Sequence, residues 1–373
     1  MTSKRWFIIF AVAFLTLAET GWGQSATHWS SYKIADGLSE PVFNSVSFTP
    51  QGKLIATSLN VPRASKLDGY SVSNFPAPAG NSGRICESPG GQCWALVPQG
   101  LMELKNDAWL LHPVSEIAAA YRSSSPRPGC APPFFPIRQG CVLFLLPDGL
   151  GEFSEENPDE PRTIIMRAAA QTQIGSFIGM TLSREGGLWI GGTRGLARVT
   201  GPARNLEPNS TWQEYIPPEF LSISNLSQPV SDDDGGVTLV AESAVDHQKM
   251  VVMFDGHNWT ALPAGSRNFF HAWRGPDQAI WAATAESLFQ WVASRTNWVE
   301  NEEISAGQIF DVEMEPGGAF WLATADGLFR GAPSLWQKPG PVRDLDAPVQ
   351  CMTLDEEGRF YFIAGNQLHM LQN

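Results

Sequence analysis

Three features of the 373-residue sequence predict an all-β chain folded as a β-propeller of eight four-stranded blades, with seven blades the alternative. An aromatic or large apolar residue recurs seven places before a leucine. Glycine-anchored units repeat with a period in the forties. No helical periodicity of useful length appears beyond the N-terminal segment.

The interval is clearest in Gly186-Gly187-Leu188-Trp189-Ile190-Gly191-Gly192-Thr193-Arg194-Gly195-Leu196-Ala197-Arg198-Val199, which reads as strand, tight turn, strand. It recurs in the pairs Trp94 and Leu101, Leu143 and Leu150, Trp281 and Leu288, Trp321 and Leu328, and Tyr361 and Leu368. Two further units, from Gly52 and Gly236, keep the pattern with a longer turn. Unit starts fall at Gly52, Gly91, Gly140, Gly187, Gly236, Asp277, Gly318 and Gly358, 39 to 49 residues apart. A unit of this size cannot bury both faces of its sheet alone, and stacking around a ring does so.

Within a unit the order is inner strand, glycine turn, second strand, short turn, third strand, and a fourth strand carrying Trp. Phe310 to Met314 alternates as an inner strand, Phe320 to Thr324 follows Pro316-Gly317-Gly318, and Leu328 to Arg330 is third. Trp109, Trp212, Trp259, Trp298 and Trp336 sit at corresponding fourth-strand places. The last unit ends with its third strand, so Trp29-Ser30-Ser31-Tyr32 is expected to close the ring as the outer strand of the eighth blade. Pro-, Ser- and Gly-rich links at 76–90 and 112–139, the connection at 155–174 and Pro-rich links at 200–222 and 338–347 join units, and Ala118 to Ala120 and Ala168 to Ala170 are each suited to a short helical turn.

A net charge of −13 argues against nucleic acid or an anionic membrane as the main partner. Lys4 and Arg5 followed by the apolar run Phe7 to Ala18 read as a signal peptide over residues 1–23, with cleavage after Gly23 or Ala26. Residues 24–373 then form one propeller domain, periplasmic or secreted. No Cys stands near the cleavage site, so a lipoprotein anchor is not expected, nor is membrane insertion of the mature chain. Export permits disulfides. Cys86 and Cys93 flank a Ser-Pro-Gly-Gly turn, and Cys130 and Cys141 flank a Pro-rich loop, which suggests two local bridges and a free Cys351; a Cys93–Cys141 bridge is the alternative. No metal site and no cofactor are expected, because no CxxC or paired-His spacing occurs.

The Gly186 to Val199 stretch, and Asp36-Gly37-Leu38-Ser39 leading through Val46 to Gly52, resemble the two-component regulator propeller repeat. That family pairs an Asp-Gly-Leu opening with a Gly-x-Leu-Trp-Ile-Gly-Thr strand and a Gly-Leu exit. The resemblance implies the periplasmic sensor part of a hybrid histidine kinase, responsive to oligosaccharides or other ligands. Departures occur at Val142-Leu143-Phe144, where Trp is expected, and in the unit at Gly236, which lacks the Gly-Leu exit. No kinase pattern is found in the sequence.

Catalytic patterns are sparse. None of the six His residues pairs with a nucleophile motif, and no Gly-x-Ser-x-Gly is present. Ser231 to Gly236, with three Asp residues, is read as a turn rather than a calcium loop. Loops between second and third strands open on one face of a propeller. There Arg63, Lys66, Arg194, His247 and Lys249 are candidates for binding an anionic or sugar ligand, and His271, on an inner strand, is positioned to reach the channel. The expected function is that of an exported, monomeric, non-catalytic sensor-type propeller that binds a small molecule, glycan or periplasmic protein at one channel mouth. The alternative is a propeller enzyme, a lyase or hydrolase acting on exported polysaccharide.

Overall fold

The computed structural model describes residues 29–371 apart from 70, 79–82, 124–131, 156–160, 184–185, 233, 276–277, 316–317, 333–348, 356–358 and 365–366. The expected signal peptide, Cys130 and Trp336 lie outside the described residues.

Eight antiparallel sheets form, one for each glycine-anchored unit. Sheet one comprises Phe43–Phe48, Leu54–Ser58, Arg63–Leu67 and Val72–Pro76. Sheet two comprises Ile85–Glu87, Cys93–Val97, Gly100–Lys105 and Ala108–Pro113. Sheet three runs through Phe134–Arg138, Cys141–Leu146, Gly149–Ser154 and Arg162–Ala168, and sheet four through Phe177–Leu182, Leu188–Gly192, Leu196–Val199 and Trp212–Tyr215. In sheet five the inner strand is broken into Ile223–Ser224 and Val230–Ser231, both paired with Val237–Ser243, ahead of Lys249–Phe254 and Trp259–Pro263. Sheet six comprises His271–Arg274, Ile280–Ala283, Leu288–Val292 and Asn297–Glu300. Sheet seven has Ile309–Met314, Phe320–Thr324 and Gly327–Gly331, and sheet eight has Val349–Leu354, Phe360–Ala364 and Gln367–Leu371. Trp109, Trp212, Trp259 and Trp298 all stand in fourth strands, as their spacing predicts.

The closing strand departs from expectation. Trp29–Tyr32 pairs with the third strand of sheet seven, not with sheet eight, in the register Trp29 to Gly331 through Tyr32 to Leu328. The reason is visible in the packing. Trp29 lies edge-on to Phe320 at 5.3 Å and to Trp281 at 6.5 Å, while Tyr32 lies 5.0 Å from Trp321. Trp29 thus fills the outer-strand Trp place of sheet seven that the spacing assigns to Trp336. Gly331 permits this seat, because a Cβ there would come within 2.8 Å of the Trp29 and Phe320 rings.

Packing divides the chain into two compact units, Met1–Pro333 and Ser334–Asn373. In the first unit, seven apolar clusters lie between seven sheets. The cluster of Phe43, Val46 and Leu54 with Trp321, Ala323 and Leu328 joins sheet one to sheet seven, so the ring closes within this unit. Each sheet feeds a different cluster from each face. Leu188 and Ile190 pack with Leu143, Leu145 and Phe177, whereas Trp189 packs with Leu226, Leu239 and Phe254. Burial on both faces explains why second strands such as Cys141–Leu146 and Leu188–Gly192 are buried throughout and read as continuous apolar runs rather than alternating ones. Gly191 is needed for the same closeness, since a Cβ there would meet the backbone oxygens of Ser227 and Leu226 at 2.5 and 2.8 Å.

One α-helix occurs among the described residues, Ser115–Ser123, longer than the single turn expected around Ala118; it drops Ile117 into the core between sheets two and three. No helix among the described residues is long and apolar enough to cross a membrane. In the second unit, sheet eight buries Phe362 against the His369 ring, stacked at 5.0 Å.

The register also corrects the first disulfide. Glu87 faces Cys93 and Cys86 faces Trp94, so the two cysteines stand on opposite faces of sheet two. Cys86 packs with the core shared with sheet three and Cys93 with the core shared with sheet one, as separate thiols. Cross-strand neighbours on one face are the geometry a bridge needs, and a one-residue offset removes it. Cys351 is an exposed free thiol. The Cys130–Cys141 pairing involves a residue outside the described set, and Cys141 Sγ accepts a hydrogen bond from Arg138 Nε at 3.1 Å.

Candidate functional site

Inner strands of a propeller alternate between blade core and ring axis, so polar residues at every second position arrive together at the centre. In Ile309–Met314, Ile309 and Val312 are buried in the core with sheet six, while Asp311 and Glu313 face a cavity of about 790 Å³. Ser45 and Ser47 of sheet one, Arg84 ahead of sheet two, Phe135 of sheet three and Thr181 of sheet four line the same cavity. A second cavity of about 450 Å³, also bordered by Arg84, Gln228 and Glu313, adds His271, Val230 and Ser231. Sheets one to seven therefore all contribute to the axial space.

Arg84 organises this centre. Its guanidinium donates to Asp311 through Nε to Oδ2 at 3.0 Å and Nη2 to Oδ1 at 2.7 Å, a two-point clamp. Nη1 pairs with Glu313, and Nη2 also reaches the Val312 carbonyl at 3.0 Å. Asp311 is held from the other side by the backbone N–H groups of Val46 at 3.0 Å and Val312 at 2.9 Å. One arginine thus ties sheets one, two and seven together across the closure of the ring.

The electrostatics follow from burial. Desolvation raises the Glu313 carboxyl above the usual range, Arg84 pulls it down and Asp311 pushes it up, with a net rise. Burial works against the Arg84 charge, but Asp311 and Glu313 outweigh it and its pKa lies above the ordinary arginine value. His271 is 9% exposed, and burial brings its pKa down to about 4 despite Asp311, with Arg84 adding to the fall. It is therefore neutral at pH 7. Burial also pushes the Cys86 thiol up to about 12 and the Cys93 thiol up to about 11, so neither is a ready nucleophile.

The structure places the six sequence-derived candidates apart. Arg63 is exposed at the start of its strand, and Arg194 and His247 are exposed in turns, His247 with φ 58°. Lys66 pairs with Glu87 across sheets one and two, and Lys249 pairs with Glu242 at 2.7 Å. His271 alone of the six borders either axial cavity. Ser231 and Asp232 form the turn expected before Val237: Asp232 N–H donates to the Gly236 carbonyl at 2.9 Å, and its carboxylate accepts the Thr238 hydroxyl at 3.1 Å. The residues missed by sequence reasoning are Arg84, Asp311 and Glu313. A signal for two of them is present: Phe310 to Met314 alternates as an inner strand, and its polar positions then face the axis. Arg84 precedes its strand and carried none.

No protein-family model matches the chain, and no curated protein sequence matches it. Among solved structures, it is similar to the extracellular domain of a hybrid two-component system from B. thetaiotaomicron, at 12% identity and TM-score 0.55 over 92% of this chain and 52% of that one. It is also similar to virginiamycin B lyase from Staphylococcus aureus, at 12% identity and TM-score 0.54 over 81% and 98%. YCF48 from Cyanidioschyzon merolae matches at 12% identity and TM-score 0.53 over 83% and 99%. Another two-component domain from B. thetaiotaomicron matches at 14% identity over 91% of this chain and 45% of that one. The chain spans about half the length of these extracellular domains, and at such identities the likeness concerns the fold.

Proposed function

We propose that the chain is an exported, non-catalytic binding propeller of the two-component regulator repeat type, which takes a small ligand or glycan into its axial cavity. The observation that carries this reading is the cavity itself: about 790 Å³, within the range of small-molecule sites, with a few polar groups held rigidly at one side. Asp311 and Glu313 are fixed by Arg84 and so are preorganised, which limits the ordering cost of binding. The leader expected from Lys4 to Ala18 supports export, and the fold shared with extracellular domains of two-component systems supports a sensing role. His271 would act at this site, while Lys66 and Lys249 serve their ion pairs.

The test is a thermal-shift screen against oligosaccharides and other small molecules, followed by calorimetry on hits with the Glu313→Gln variant. A ligand that binds only the folded state raises the melting temperature by mass action. A hit whose affinity falls at least about tenfold in E313Q supports the axial site, a loss expected when one partner of a buried polar contact is removed. Hits unaffected by E313Q move the site elsewhere.

A second reading, catalysis, is favoured by one observation: a carboxyl with raised pKa and a neutral imidazole border the same cavity. Incubation of hits with the protein separates the readings. Product formation lost in both E313Q and His271→Gln supports the enzyme, and unchanged ligand recovered after prolonged incubation supports binding alone.

A further inference from the structure

Away from the axis, on the side of sheets two and three, three potential ligand groups converge. Glu103 and His112 stand on neighbouring strands of sheet two, on one face, and Glu155 follows the third strand of sheet three. One ligand atom from each lies within 4.8 Å of the others. Glu103 is buried, with its side chain 1% exposed. Its Oε1 accepts from Gln92 Nε2 at 2.7 Å, and its Oε2 faces His112 Nε2 at 3.3 Å. The His112 ring is held by Trp94 at 5.4 Å and Phe153 at 5.2 Å. Gln92 is itself fixed by accepting the Gly140 N–H at 2.7 Å, so sheet three braces the amide that orients the carboxylate.

The charge balance is the second observation. Lys105 extends from a largely exposed position to Glu103 at 2.6 Å and to Glu155 at 3.3 Å. One ammonium faces two carboxylates whose side chains are only 1% and 14% exposed, so a single positive charge serves two carboxylates held away from water. A buried charge without a partner is costly. A divalent ion in place of the ammonium matches both carboxylates and uses the imidazole as a neutral donor.

We propose that Glu103, His112 and Glu155 form a site for one divalent transition-metal ion of the zinc class, whose place the Lys105 ammonium takes here. Carboxylate oxygen and imidazole nitrogen are both donors such an ion takes, at bond lengths of about 2.0–2.2 Å, and three protein ligands leave a fourth position open. These lengths require the three donors to close to about 3.3 Å from one another, which Glu155, at the end of its strand and with its side chain 14% exposed, can do by a rotamer change. Gln92 supplies the outer hydrogen bond that orients Glu103, as carboxylate ligands commonly require. The bound ion would clip sheet two to sheet three. A sequence reading based on short spacings misses the set because its members are 9 and 43 residues apart.

The rival account is an ion-pair cluster that needs no metal, with Lys105 shared by the two carboxylates. Cobalt(II) distinguishes the two. Untagged, full-length mature protein is stripped with chelator and titrated with Co²⁺, monitoring visible absorption and melting temperature. One equivalent should give a saturable tetrahedral-type spectrum and a rise in melting temperature. Glu155→Gln should melt normally without metal and bind Co²⁺ at least about tenfold more weakly, the effect of losing one ligand. Lys105→Met, which removes the competing ammonium and leaves the three ligands, should bind as tightly as wild type or more so. Absence of saturable binding at one equivalent, unchanged affinity in E155Q, or abolition of binding in K105M overturns the proposal.

Discussion

Closure of the ring by Trp29–Tyr32 can be tested by taking away its two anchors. The strand inserts one aromatic on each face. Trp29 packs into the cluster between sheets six and seven, and Tyr32 into the cluster between sheets seven and one. A half-buried Trp removes on the order of 100 Å² from water, about 2.5 kcal/mol at ~25 cal/mol/Å². The edge contacts of Trp29 with Phe320 and Trp281 add a fraction of that, so Trp29→Ala should cost about 2–3 kcal/mol. Tyr32→Ala should cost about 2 kcal/mol on the same reckoning. Because the two rings enter separate cores, the costs should nearly add, to about 4–5 kcal/mol in the double variant. Urea unfolding followed by Trp fluorescence measures the sum, and amide exchange measures its location. Protection should fall in Leu328–Gly331, whose backbone pairs with the closing strand, and should be unchanged in Gln367–Leu371 of sheet eight. A double variant within about 1 kcal/mol of wild type, well below the expected burial term, would refute the packing argument. Loss of protection in sheet eight instead would refute the pairing.

Peptide mapping without reductant should find Cys86 and Cys93 as separate thiols, alkylated slowly in the folded protein because burial holds both well above the ordinary thiol range; a Cys86–Cys93 peptide would contradict the register of sheet two. His271 has a folded pKa of about 4, below its unfolded value, so the unfolded chain takes up the proton first as pH falls. Stability should therefore drop between about pH 6.5 and 4 by on the order of 3 kcal/mol from this group, and then level. Glu313, whose pKa is raised, acts in the opposite sense, gaining as pH falls. The difference between wild type and His271→Gln isolates the histidine, and parallel curves for the two would remove it as the cause. Asp311→Asn leaves Arg84 with Glu313 but breaks the two-point clamp, and should cost about 2–3 kcal/mol by chemical denaturation; a neutral result would show that the clamp is dispensable for ring closure.

The fold was legible because propeller blades repeat one solution. Leu188, Trp189 and Ile190 had to be apolar together, since each face of their sheet meets a different neighbour, and the same pressure acted on Val142 to Leu145 and Phe320 to Leu322. Local spacing therefore recorded global packing. Closure was less legible for the opposite reason. Trp29 and Trp336 are both Trp residues ahead of or behind third strands, and only the seat against Phe320 and Trp281 decides between them. That seat depends on Gly331, which looks like any turn glycine in the sequence. The site was legible least. Basic residues in an acidic chain drew attention to Lys66 and Lys249, yet charge pairing, which needs partners 21 and 7 residues away, absorbs both. Arg84 and Asp311, 227 residues apart, meet only because the first and seventh sheets become neighbours. In a closed ring the axis collects one or two side chains from every repeat, so its chemistry is set by residues that no window of sequence contains. The inner strand is the place to look: where its axis-facing positions carry charge, as Asp311 and Glu313 do, the counter-charge comes from a nearby repeat, here as Arg84 just ahead of sheet two.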